Sequence, residues 1–288
     1  MRNKLINLFL KKFKNLVFYI KIYWIKIYRI FLLLSLNPLR CNDESIIVSL
    51  TTHPSRIKSS WIAIISLFNQ KVTNYKLILV LSKEEFQNKK IPWTINFLEK
   101  KGLKILWINK NYKSYNKLLP VRSKFPNSKI ITFDDDVYYE NWRLKLLLDK
   151  SKTFPNAIIG FRGAEIKTKK NEEIYPYLKW GFANAKTSKK KLFLTGVGGV
   201  LYPPNKNFDL LIQNYPLAKE LAPTTDDVFF WGVSQYLNIE KILLGYNKLD
   251  DVRELFNSPS LFNKNNCLKF NNNDYSIKKV IDFFEILI

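Results

Sequence analysis

The stretch "KIITFDDDVYY", Lys129 to Tyr139, places three carboxylates directly after a run of β-branched and aromatic residues. Lys129 to Phe133 predicts a short buried strand, because apolar runs of this length are typical of strands inside α/β sheets. In an open α/β sheet, ligands bind in the crevice beyond the carboxyl ends of the strands. We therefore expect three neighbouring side chains to line that crevice: Asp134, Asp135 and Asp136.

The segment before this stretch alternates between strand and helix patterns. The predicted strands are "SIIVSL" (45–50), "KLILVL" (76–81) and "LKILWI" (103–108), and the predicted helices are 61–69, 94–101 and 114–124. With "KIITF" as the fourth strand, this succession predicts an α/β fold with a mostly parallel central sheet flanked by helices. The first strand is followed by "TTHPSRI" rather than a glycine-rich phosphate loop, which argues against NAD-dependent enzymes and P-loop NTPases.

The second half of the chain has a less regular pattern. We predict a strand and loop in "NAIIGFRGAEI" (156–166), a strand pair with a glycine turn in "LFLTGVGGVLYPP" (192–204), and a loop opening a helix in "APTTDDVFFWGVSQYL" (222–237). An asparagine-rich loop, "FNKNNCLKFNNND" (262–274), precedes a predicted final helix, 275–288. Because no linker composition interrupts the chain after residue 41, residues 42–288 are expected to form one unit.

Composition limits the chemistry of the chain. Its 288 residues include 47 Lys and Arg against 24 Asp and Glu, a formal net charge of +23. Such a surface attracts polyanions, anionic lipid head groups or phosphorylated ligands. Only two cysteines are present, which is typical of a reducing compartment, and a single His53 argues against histidine-based zinc sites.

Residues 1–41 have a basic amphipathic pattern. The first forty residues contain nine Lys and Arg, and no acid precedes Asp43. At helical periodicity the apolar arc consists of Phe9, Phe13, Leu16, Ile20, Trp24, Ile27 and Phe31, and the basic arc of Lys4, Lys11, Lys14, Lys26 and Arg29. Charge interrupts every apolar run, so a spanning helix is not expected. We expect the helix to lie on an anionic membrane surface; packing against the catalytic domain or a partner is the alternative.

The aspartate cluster has the residue spacing of a divalent-cation site. Two carboxylates two positions apart on an extended segment point to the same side, as Asp134 and Asp136 do here. Magnesium or manganese is usually bound by one or two carboxylates, with water and substrate phosphates completing the shell. A helix N-cap followed by a solvated turn would give the same pattern, so the spacing leaves both interpretations open.

Five stretches occur in an order that resembles a known enzyme family: "VSLTTHPSRI" (48–57), "SYNKLLP" (114–120), "IITFDDDVYY" (130–139), "LTGVGGVLYPP" (194–204) and "PTTDDVFFW" (223–231). Together they are similar to bacterial GT-A fold glycosyltransferases related to glycosyltransferase family 2, which act in surface-polysaccharide assembly. The resemblance implies transfer of a sugar from a nucleotide diphosphate sugar to a glycan or glycolipid. It also implies a nucleotide-sugar half, 42–140, and an acceptor half, 141–288.

The resemblance implies roles for the acidic residues. Asp136, with Asp134, would bind Mn²⁺ or Mg²⁺, while Asp134 and Asp135 would also lie at the donor nucleotide. In an inverting transfer a carboxylate takes the proton of the acceptor hydroxyl. Asp227 is expected to be that base and Asp226 its neighbour, although both residues would equally cap the helix that follows them.

Further donor contacts are implied on the basic and glycine-rich stretches. The implied donor-binding residues are Thr51, His53, Arg56, Lys117, Gly198 and Gly199. Arg162 in "GFRGAE" is a further candidate near donor or acceptor. Each position also has a structural interpretation: a hydrogen-bonded His, a solvated Lys, or a hairpin turn at the glycines.

Two other functions fit part of the sequence. A haloacid-dehalogenase-type phosphatase would use Asp134 as nucleophile and Asp226 with Asp227 to hold magnesium, but its motif begins the first strand of that domain rather than the fourth. A non-enzymatic basic membrane-binding or nucleic-acid-binding protein would explain the charge but not the aspartates. The transferase interpretation places the protein in the bacterial cytoplasm, peripheral on the inner face of the membrane, with no nucleic-acid partner.

Overall fold

The computed structural model describes residues 27–39, 41, 43–87, 89–170, 173–245, 250–251 and 272–288. The strands are β1 (Ile46–Thr51), β2 (Lys76–Ser82), β3 (Lys104–Ile108), β4 (Lys129–Thr132), β5 (Val137–Tyr138), β6 (Ile158–Glu165), β7 (Gly181–Phe182), β8 (Leu192–Tyr202), β9 (Lys241–Leu243) and β10 (Asp250–Asp251). The asparagine-rich segment 262–271 and residues 1–26 of the predicted amphipathic helix lie outside the described residues.

Helices connect these strands. They are α1 (27–34), α2 (Ile57–Phe68), α3 (Lys83–Phe86), α4 (Trp93–Lys100), α5 (Leu119–Lys124), α6 (Arg143–Thr153), α7 (Lys206–Ile212), α8 (Tyr215–Leu221), α9 (Asp226–Tyr236) and α10 (Asn272–Phe284). Two short 3-10 helices, Lys113–Lys117 and Tyr177–Lys179, contribute residues to a cavity at the carboxyl ends of the strands. The predicted helix 114–124 is divided between the first of these and α5, which begins with a proline in its first turn. Proline lacks the N–H that a continuous helix would need there.

Within the described residues, one sheet contains eight strands in the order β3-β2-β1-β4-β8-β6-β7, with β9 also paired to β6. Strands β1 to β4 are mutually parallel, whereas β8 is antiparallel to both β4 and β6. The prediction of a mostly parallel central sheet flanked by helices is confirmed. The sheet continues from the predicted nucleotide-sugar half into the predicted acceptor half through the β4–β8 pair.

Both faces of the sheet are buried. Ile47 packs in one hydrophobic cluster and its neighbour Val48 in the other, as expected for successive residues of a covered strand. This burial explains why the strands are continuous apolar runs rather than alternating patterns. It also fixes the strand ends, where the buried runs stop and the polar loops begin.

The glycine-rich segment is one strand, so the prediction of a strand pair with a glycine turn is wrong. β8 continues through all eleven residues from Leu192 to Tyr202. Gly199 has φ +97°, and a Cβ at this position would lie 2.3 Å from Phe133 Cε1. Glycine is therefore required for close packing against β4 and not for a reversal of the chain.

Helix α1 packs on the domain through one face. Leu33 and Leu36 are buried, and the Arg29 guanidinium lies 3.7 Å from the centre of the Tyr138 ring. The opposite face leaves Phe31 65 % exposed and Leu34 56 % exposed. In the described part of the chain, no helix is long and apolar enough to cross a membrane.

Candidate functional site

A cavity of about 660 Å³ opens at the carboxyl ends of β1 and β4. It is lined by the loop after β1, the first 3-10 helix, the loop after β4, the middle of β8 and the beginning of α9. Its acidic and basic lining residues are Arg56, Glu85, Lys113, Lys117, Asp134, Asp135, Asp136, Arg162, Asp226 and Asp227. The structure thus brings the two predicted acidic groups, 134–136 and 226–227, into one cavity.

Asp135 is an internal anchor. Its side chain is almost fully buried and accepts a short hydrogen bond from the Thr52 hydroxyl, while Arg56 Nη2 lies 2.7 Å from its Oδ1. Burial raises the pKa of Asp135, and Arg56 and Thr52 act against that rise. Its carboxylate contacts Arg56 and Thr52 and orients that arginine, while a contact between Asp135 and the donor remains a prediction.

Arg56 also joins the second aspartate of the predicted metal pair. Arg56 Nη1 donates to Asp136 Oδ2 at 2.9 Å, so one guanidinium connects two carboxylates of the cluster. Arg56 is buried at the first turn of α2, on the loop that follows β1. A planar guanidinium is suited to this double contact because its donors diverge in a fixed fork.

Lys117 connects the two acidic groups. Its Nζ lies 2.9 Å from Asp134 Oδ1 and 3.3 Å from Asp226 Oδ2. Burial alone would lower the pKa of Lys117, but Asp134, Asp226 and Asp227 together hold it well above its ordinary value. The lysine is therefore a buried, charged bridge between the end of β4 and the beginning of α9.

Asp227 lies in a different environment. Its Oδ2 accepts the backbone N–H of Gly196 at 3.0 Å, and it is at the first turn of α9. Burial, and then the charge of Asp226, raise the pKa of Asp227 to about 7, although Lys117 and the Gly196 N–H act in the opposite direction. Such a carboxyl group exchanges a proton near neutral pH, as a general base must.

Gly196 belongs to the glycine-rich run that stands out in the sequence, and it lies at the site although the predicted donor-binding residues do not include it. A Cβ at this position would lie 2.9 Å from Asp227 Oδ1 and 3.0 Å from Lys117 Nζ. The absence of a side chain lets the backbone of β8 approach both groups. The "TGVGG" run indicates a close approach of the backbone, but nothing in the local sequence distinguishes Gly196 at the site from Gly198 and Gly199.

Gly198 and Gly199 are not among the lining residues. A Cβ on Gly198 would meet Phe161 Cβ at 3.1 Å and Arg162 Cβ at 3.2 Å, and its carbonyl accepts from Arg143 at 3.2 Å. Gly199 faces Phe133, as described above. Both glycines let β8 pack between its neighbours, and their contact with a donor sugar remains a prediction.

Tyr139 is a second residue that the sequence reasoning missed. The Asp134 N–H donates to its Oη at 2.9 Å, and that hydroxyl donates to the Val197 carbonyl at 3.1 Å. Burial raises the pKa of Tyr139 well above its ordinary value, so it stays a neutral donor. It fixes the backbone of the aspartate cluster against β8 from a position five residues away.

The loop after β1 provides two more lining residues. The Thr51 hydroxyl donates to the Val80 carbonyl at 2.9 Å, and His53 Nδ1 lies 2.9 Å from the Ser55 hydroxyl. The His53 carbonyl also accepts the backbone N–H of Arg56 at 2.9 Å, which begins the turn into α2. Thr51 and His53 therefore line the cavity as predicted, and their contact with a donor remains a prediction.

The far wall of the cavity is formed by β6, β8 and the second 3-10 helix. Arg162 on β6 is paired in register with Thr195 on β8, and its guanidinium lies 4.9 Å from the centre of the Phe182 ring. Burial, and then the charge of Asp227, raise the pKa of Tyr177 to about 12, while Arg162 acts to lower it. Tyr177 and Arg162 are therefore within electrostatic reach of the Asp227 end of the cavity.

The lining fits a divalent cation together with phosphate. Four carboxylates, Asp134, Asp135, Asp136 and Asp226, face the two buried cations Arg56 and Lys117, which leaves an excess of two negative charges. In the described ranges, no group of three or more His, Cys, Asp or Glu is arranged to hold a metal. Asp134 and Asp136 would supply two carboxylates, and a Mg²⁺ or Mn²⁺ ion usually completes such a shell with phosphate and water.

Comparisons with known proteins give only distant likenesses. No family model and no curated protein sequence matches the chain. Residues 1–349 of S. aureus TarS in complex with UDP are 15% identical, with a TM-score of 0.45, over 71% of this chain and 59% of that one. The same fragment in a second structure is 17% identical, with a TM-score of 0.46, over 74% and 62%.

A third solved structure, the 4-diphosphocytidyl-2C-methyl-D-erythritol synthase of Anaerococcus prevotii, is 13% identical, with a TM-score of 0.45, over 71% of this chain and 90% of that one. The chain thus spans about three fifths of the TarS fragment. At these identities and TM-scores the likeness does not identify the reaction. What the site does follows from its own residues.

Proposed function

We propose that the chain is a glycosyltransferase that moves a sugar from a nucleotide diphosphate donor to a glycan or glycolipid, with inversion and with a divalent cation, in bacterial surface-polysaccharide synthesis. One observation carries the proposal. A single cavity holds an acidic cluster paired with buried cations and, beside it, a carboxyl group with a pKa of about 7. Sugar transfer from a diphosphate needs both: a counter-charge for the leaving group and a base for the acceptor.

The cluster after β4 would receive the diphosphate. Asp134 and Asp136 would hold Mg²⁺ or Mn²⁺, which when bound neutralises the charge that develops on the departing diphosphate. Arg56 keeps Asp136 in place, and Lys117 does the same for Asp134. Both cations are buried, so the carboxylates keep their positions without reorganisation during the reaction.

Asp227 would take the proton of the acceptor hydroxyl. Its Oδ2 is held by the Gly196 N–H, which leaves Oδ1 on the same carboxyl to accept that proton. The oxygen of the hydroxyl attacks the anomeric carbon while the bond to the diphosphate breaks on the opposite face, which inverts the configuration. Asp226 contacts Lys117 instead, so we assign the base role to Asp227 and the positioning role to Asp226.

Donor binding tests this proposal and separates it from the alternatives. Ligand-observed NMR would be run with UDP, GDP and CMP sugars, with and without Mn²⁺, on the wild type, Asp136→Asn and the control Asp149→Asn. Asp149 is a surface residue paired with Lys145 and Lys152, far from the cavity in the fold. We expect Mn²⁺-dependent binding of one donor that is lost only in Asp136→Asn.

Two results would contradict the proposal. Hydrolysis of a phosphate ester with magnesium by the folded protein, without binding of any donor, would favour the phosphatase. Salt-sensitive binding of nucleic acid without any response to nucleotide sugars would favour the charge-driven binder. In the structure, the proposed phosphatase nucleophile Asp134 follows β4, which is preceded by β1, β2 and β3 in the chain.

The exposed face of α1 supports a position on the inner face of the membrane. Phe31 and Leu34 are exposed there, and the first forty residues carry nine Lys and Arg without an acid. Apolar side chains beside basic ones bind anionic lipid surfaces. The finding that Arg29 and Leu33 pack on the domain also shows that α1 has a domain-facing side, as in the alternative interpretation.

Vesicle sedimentation tests this location. We expect the full chain to sediment with phosphatidylglycerol vesicles and not with phosphatidylcholine vesicles. A Phe31→Ser, Leu34→Ser double variant should bind at least about a hundredfold less, since burial of each side chain is worth about 1.5–3 kcal/mol. Leu210→Ser, at a residue 73 % exposed on α7, is the matched control. Equal binding by the double variant and the wild type would show that this face of α1 does not contact the membrane.

A further inference from the structure

Arg162 is a cation of the cavity to which the described residues supply no carboxylate partner. Among the residues that the structure describes, neither an ion pair nor a side-chain hydrogen bond is formed by its guanidinium, which stacks at 4.9 Å on Phe182. The other two buried cations of the lining, Arg56 and Lys117, each contact two carboxylates. Burial lowers the pKa of Arg162, yet an arginine stays protonated in proteins. A half-buried charge of this kind favours an anionic ligand.

Thr195 adds a second polar group at the same place. It is directly opposite Arg162 in the β6–β8 register, and opposite residues of an antiparallel pair lie side by side on one face of the sheet. Its hydroxyl is shielded from solvent without a hydrogen-bond partner in the described part of the chain. A buried hydroxyl left unpaired costs about 1–3 kcal/mol, so an acceptor atom of a ligand would stabilise it.

The amide of Asn273 borders the same end of the cavity. Asn273 is buried at the beginning of α10, where the Asp274 side chain accepts the Tyr177 N–H at 2.6 Å. Its Oδ1 also has no hydrogen-bond partner among the described residues. Three polar side chains with unused hydrogen-bonding capacity, Arg162, Thr195 and Asn273, therefore line one end of the cavity.

This end of the cavity is separate from the diphosphate position. Arg162 is on β6, and β8 lies between β6 and β4, the strand that ends at the aspartate cluster. Neighbouring strands are about 4.8 Å apart, so Arg162 is displaced by about 10 Å from the line of β4. Thr195 instead precedes Gly196, whose N–H holds Asp227. The position therefore belongs to the acceptor side of the base.

The geometry points to an oxyanion subsite for the acceptor: Arg162 and Thr195 bind a phosphate or carboxylate group of the acceptor and place its hydroxyl at Asp227. This rests on the proposed function and adds the acceptor class, which is an anionic glycan or glycolipid rather than a neutral one. A guanidinium fork matches either oxyanion with two parallel hydrogen bonds. The anionic group thereby orients the nucleophile, which is how remote binding contributes to transfer.

Small matched probes test the subsite without knowledge of the acceptor. The binding of glycerol, glycerate and sn-glycerol 3-phosphate would be measured by NMR titration on the full chain, first alone and then with the nucleotide diphosphate and Mn²⁺ present. The variants are Arg162→Gln, Arg162→Lys and Lys179→Gln. Lys179 is exposed on the second 3-10 helix and is not a lining residue, so its variant removes the same charge from the same side of the fold.

We expect the anionic probes to bind about tenfold or more tightly than glycerol, because a hydrogen bond to a charged group contributes about 1.5–3 kcal/mol. The difference should persist with the nucleotide bound, disappear in Arg162→Gln, remain in Lys179→Gln and return in part in Arg162→Lys. The glycerate and phosphate arms show which oxyanion is preferred.

Three results would overturn the inference. They are equal binding of charged and neutral probes, loss of the preference in Lys179→Gln, and competition between nucleotide and phosphate probe, since the last would assign Arg162 to the donor. Nucleotide binding is read separately. If no nucleotide binds while the anion preference depends on Arg162, the proposed function fails and the oxyanion subsite stands.

Discussion

The two acidic groups of the cavity have the same side chains and opposite environments. Asp135 and Asp136 share the buried guanidinium of Arg56, and Asp134 contacts Lys117. Asp227 has another carboxylate, Asp226, beside it and a backbone N–H as its hydrogen-bond donor. Each carboxylate of the first group contacts a cation, whereas Asp227 in the second group is kept close to protonation at neutral pH.

This difference teaches how one residue type serves two purposes. A carboxylate paired with a cation supplies a fixed charge. A carboxyl group that is buried beside a like charge has a raised pKa and exchanges its proton near neutral pH. Lys117 connects the two environments, since it contacts Asp134 on one side and Asp226 on the other. Both environments therefore contact the same lysine, and substitution of Lys117 perturbs both.

Removal of the base should have the largest effect. We expect Asp227→Asn to lower the rate of sugar transfer about 10²- to 10⁴-fold, the usual contribution of a positioned base, with the donor dissociation constant within about twofold of the wild type. The amide oxygen still accepts the Gly196 N–H, so the fold is preserved. Transfer rates under saturating donor, together with donor titration, measure both quantities.

The control for this substitution is Asp209→Asn, another half-buried aspartate, which is paired with Arg122 and does not line the cavity. It should leave the transfer rate near the wild-type value while lowering stability. Full activity in Asp227→Asn, or equal losses of activity in the two variants, would contradict the assignment of Asp227 as the base.

Loss of the lysine bridge should have the next largest effect. Lys117→Met leaves the buried Asp226 and the half-buried Asp134 without their cation, and removal of one partner of a buried pair costs about 3–5 kcal/mol. Because the charge of Lys117 lowers the pKa of Asp227, the same variant should move the pH dependence of transfer to higher pH. Chemical denaturation and a pH–rate profile measure the two effects.

Lys117→Arg keeps the charge and serves as the matched comparison. It should retain most of the stability and leave the pH dependence closer to that of the wild type. A Lys117→Met protein with unchanged stability and an unchanged profile would show that the two groups are independent, contrary to the contacts.

The glycines of β8 provide a third test, because β8 contacts Asp227 through Gly196 and packs on Phe133 through Gly199. Gly199→Ala would force a residue with a side chain into φ +97° and against Phe133, and we expect a loss of about 2–4 kcal/mol. The pH dependence of the remaining activity should not move, because Gly199 contacts neither group. Thermal denaturation measures the loss of stability, and a pH–rate profile measures the pH dependence. A shifted pH–rate profile would show that the packing of β8 affects the pKa of Asp227.

The smallest expected effect concerns stability and pH. The pKa of Asp227 in the folded chain is above the ordinary value of 3.8, so the folded state holds the proton more tightly than the unfolded state. Its contribution to stability is therefore present at low pH and lost as the pH rises through about 7. Asp227→Asn should consequently be more stable than the wild type at pH 8, by about 1 kcal/mol or more, and equal to it or less stable at pH 4.

Urea denaturation at the two pH values measures that difference. Asp149→Asn, on the surface, is the control and should show no gain at pH 8. A loss of stability in Asp227→Asn at pH 8 would mean that the fold stabilises the charged form of Asp227, contrary to its raised pKa.

The strands and the acidic crevice could be predicted from the sequence because both depend on local pattern. Buried strands are continuous apolar runs, and the aspartates come where such a run stops. The continuous strand β8 was missed, since Gly199 is required there by Phe133, which lies 66 positions earlier in the chain. No local pattern carries that contact.

The roles within the aspartate cluster show the same limit. Asp135 and Asp136 are neighbours in sequence, but Asp135 is anchored by Thr52, at a distance of 83 residues along the chain. The pairing of Arg56 with both of them spans a similar separation. Which carboxylate lies inward is decided by these long-range contacts, so the sequence predicted the cluster and not the division of work within it.

The pH dependence of kcat/KM for sugar transfer, from pH 5 to 9, tests the contrast most directly. For the wild type we expect kcat/KM to rise with pH, with a logarithmic slope of about one, and to level off near the pKa of Asp227, about 7. The residual activity of Asp227→Asn should lack this rise. A wild-type profile that is flat across neutral pH, or a rise that persists unchanged in Asp227→Asn, would contradict the assignment of Asp227 as the base.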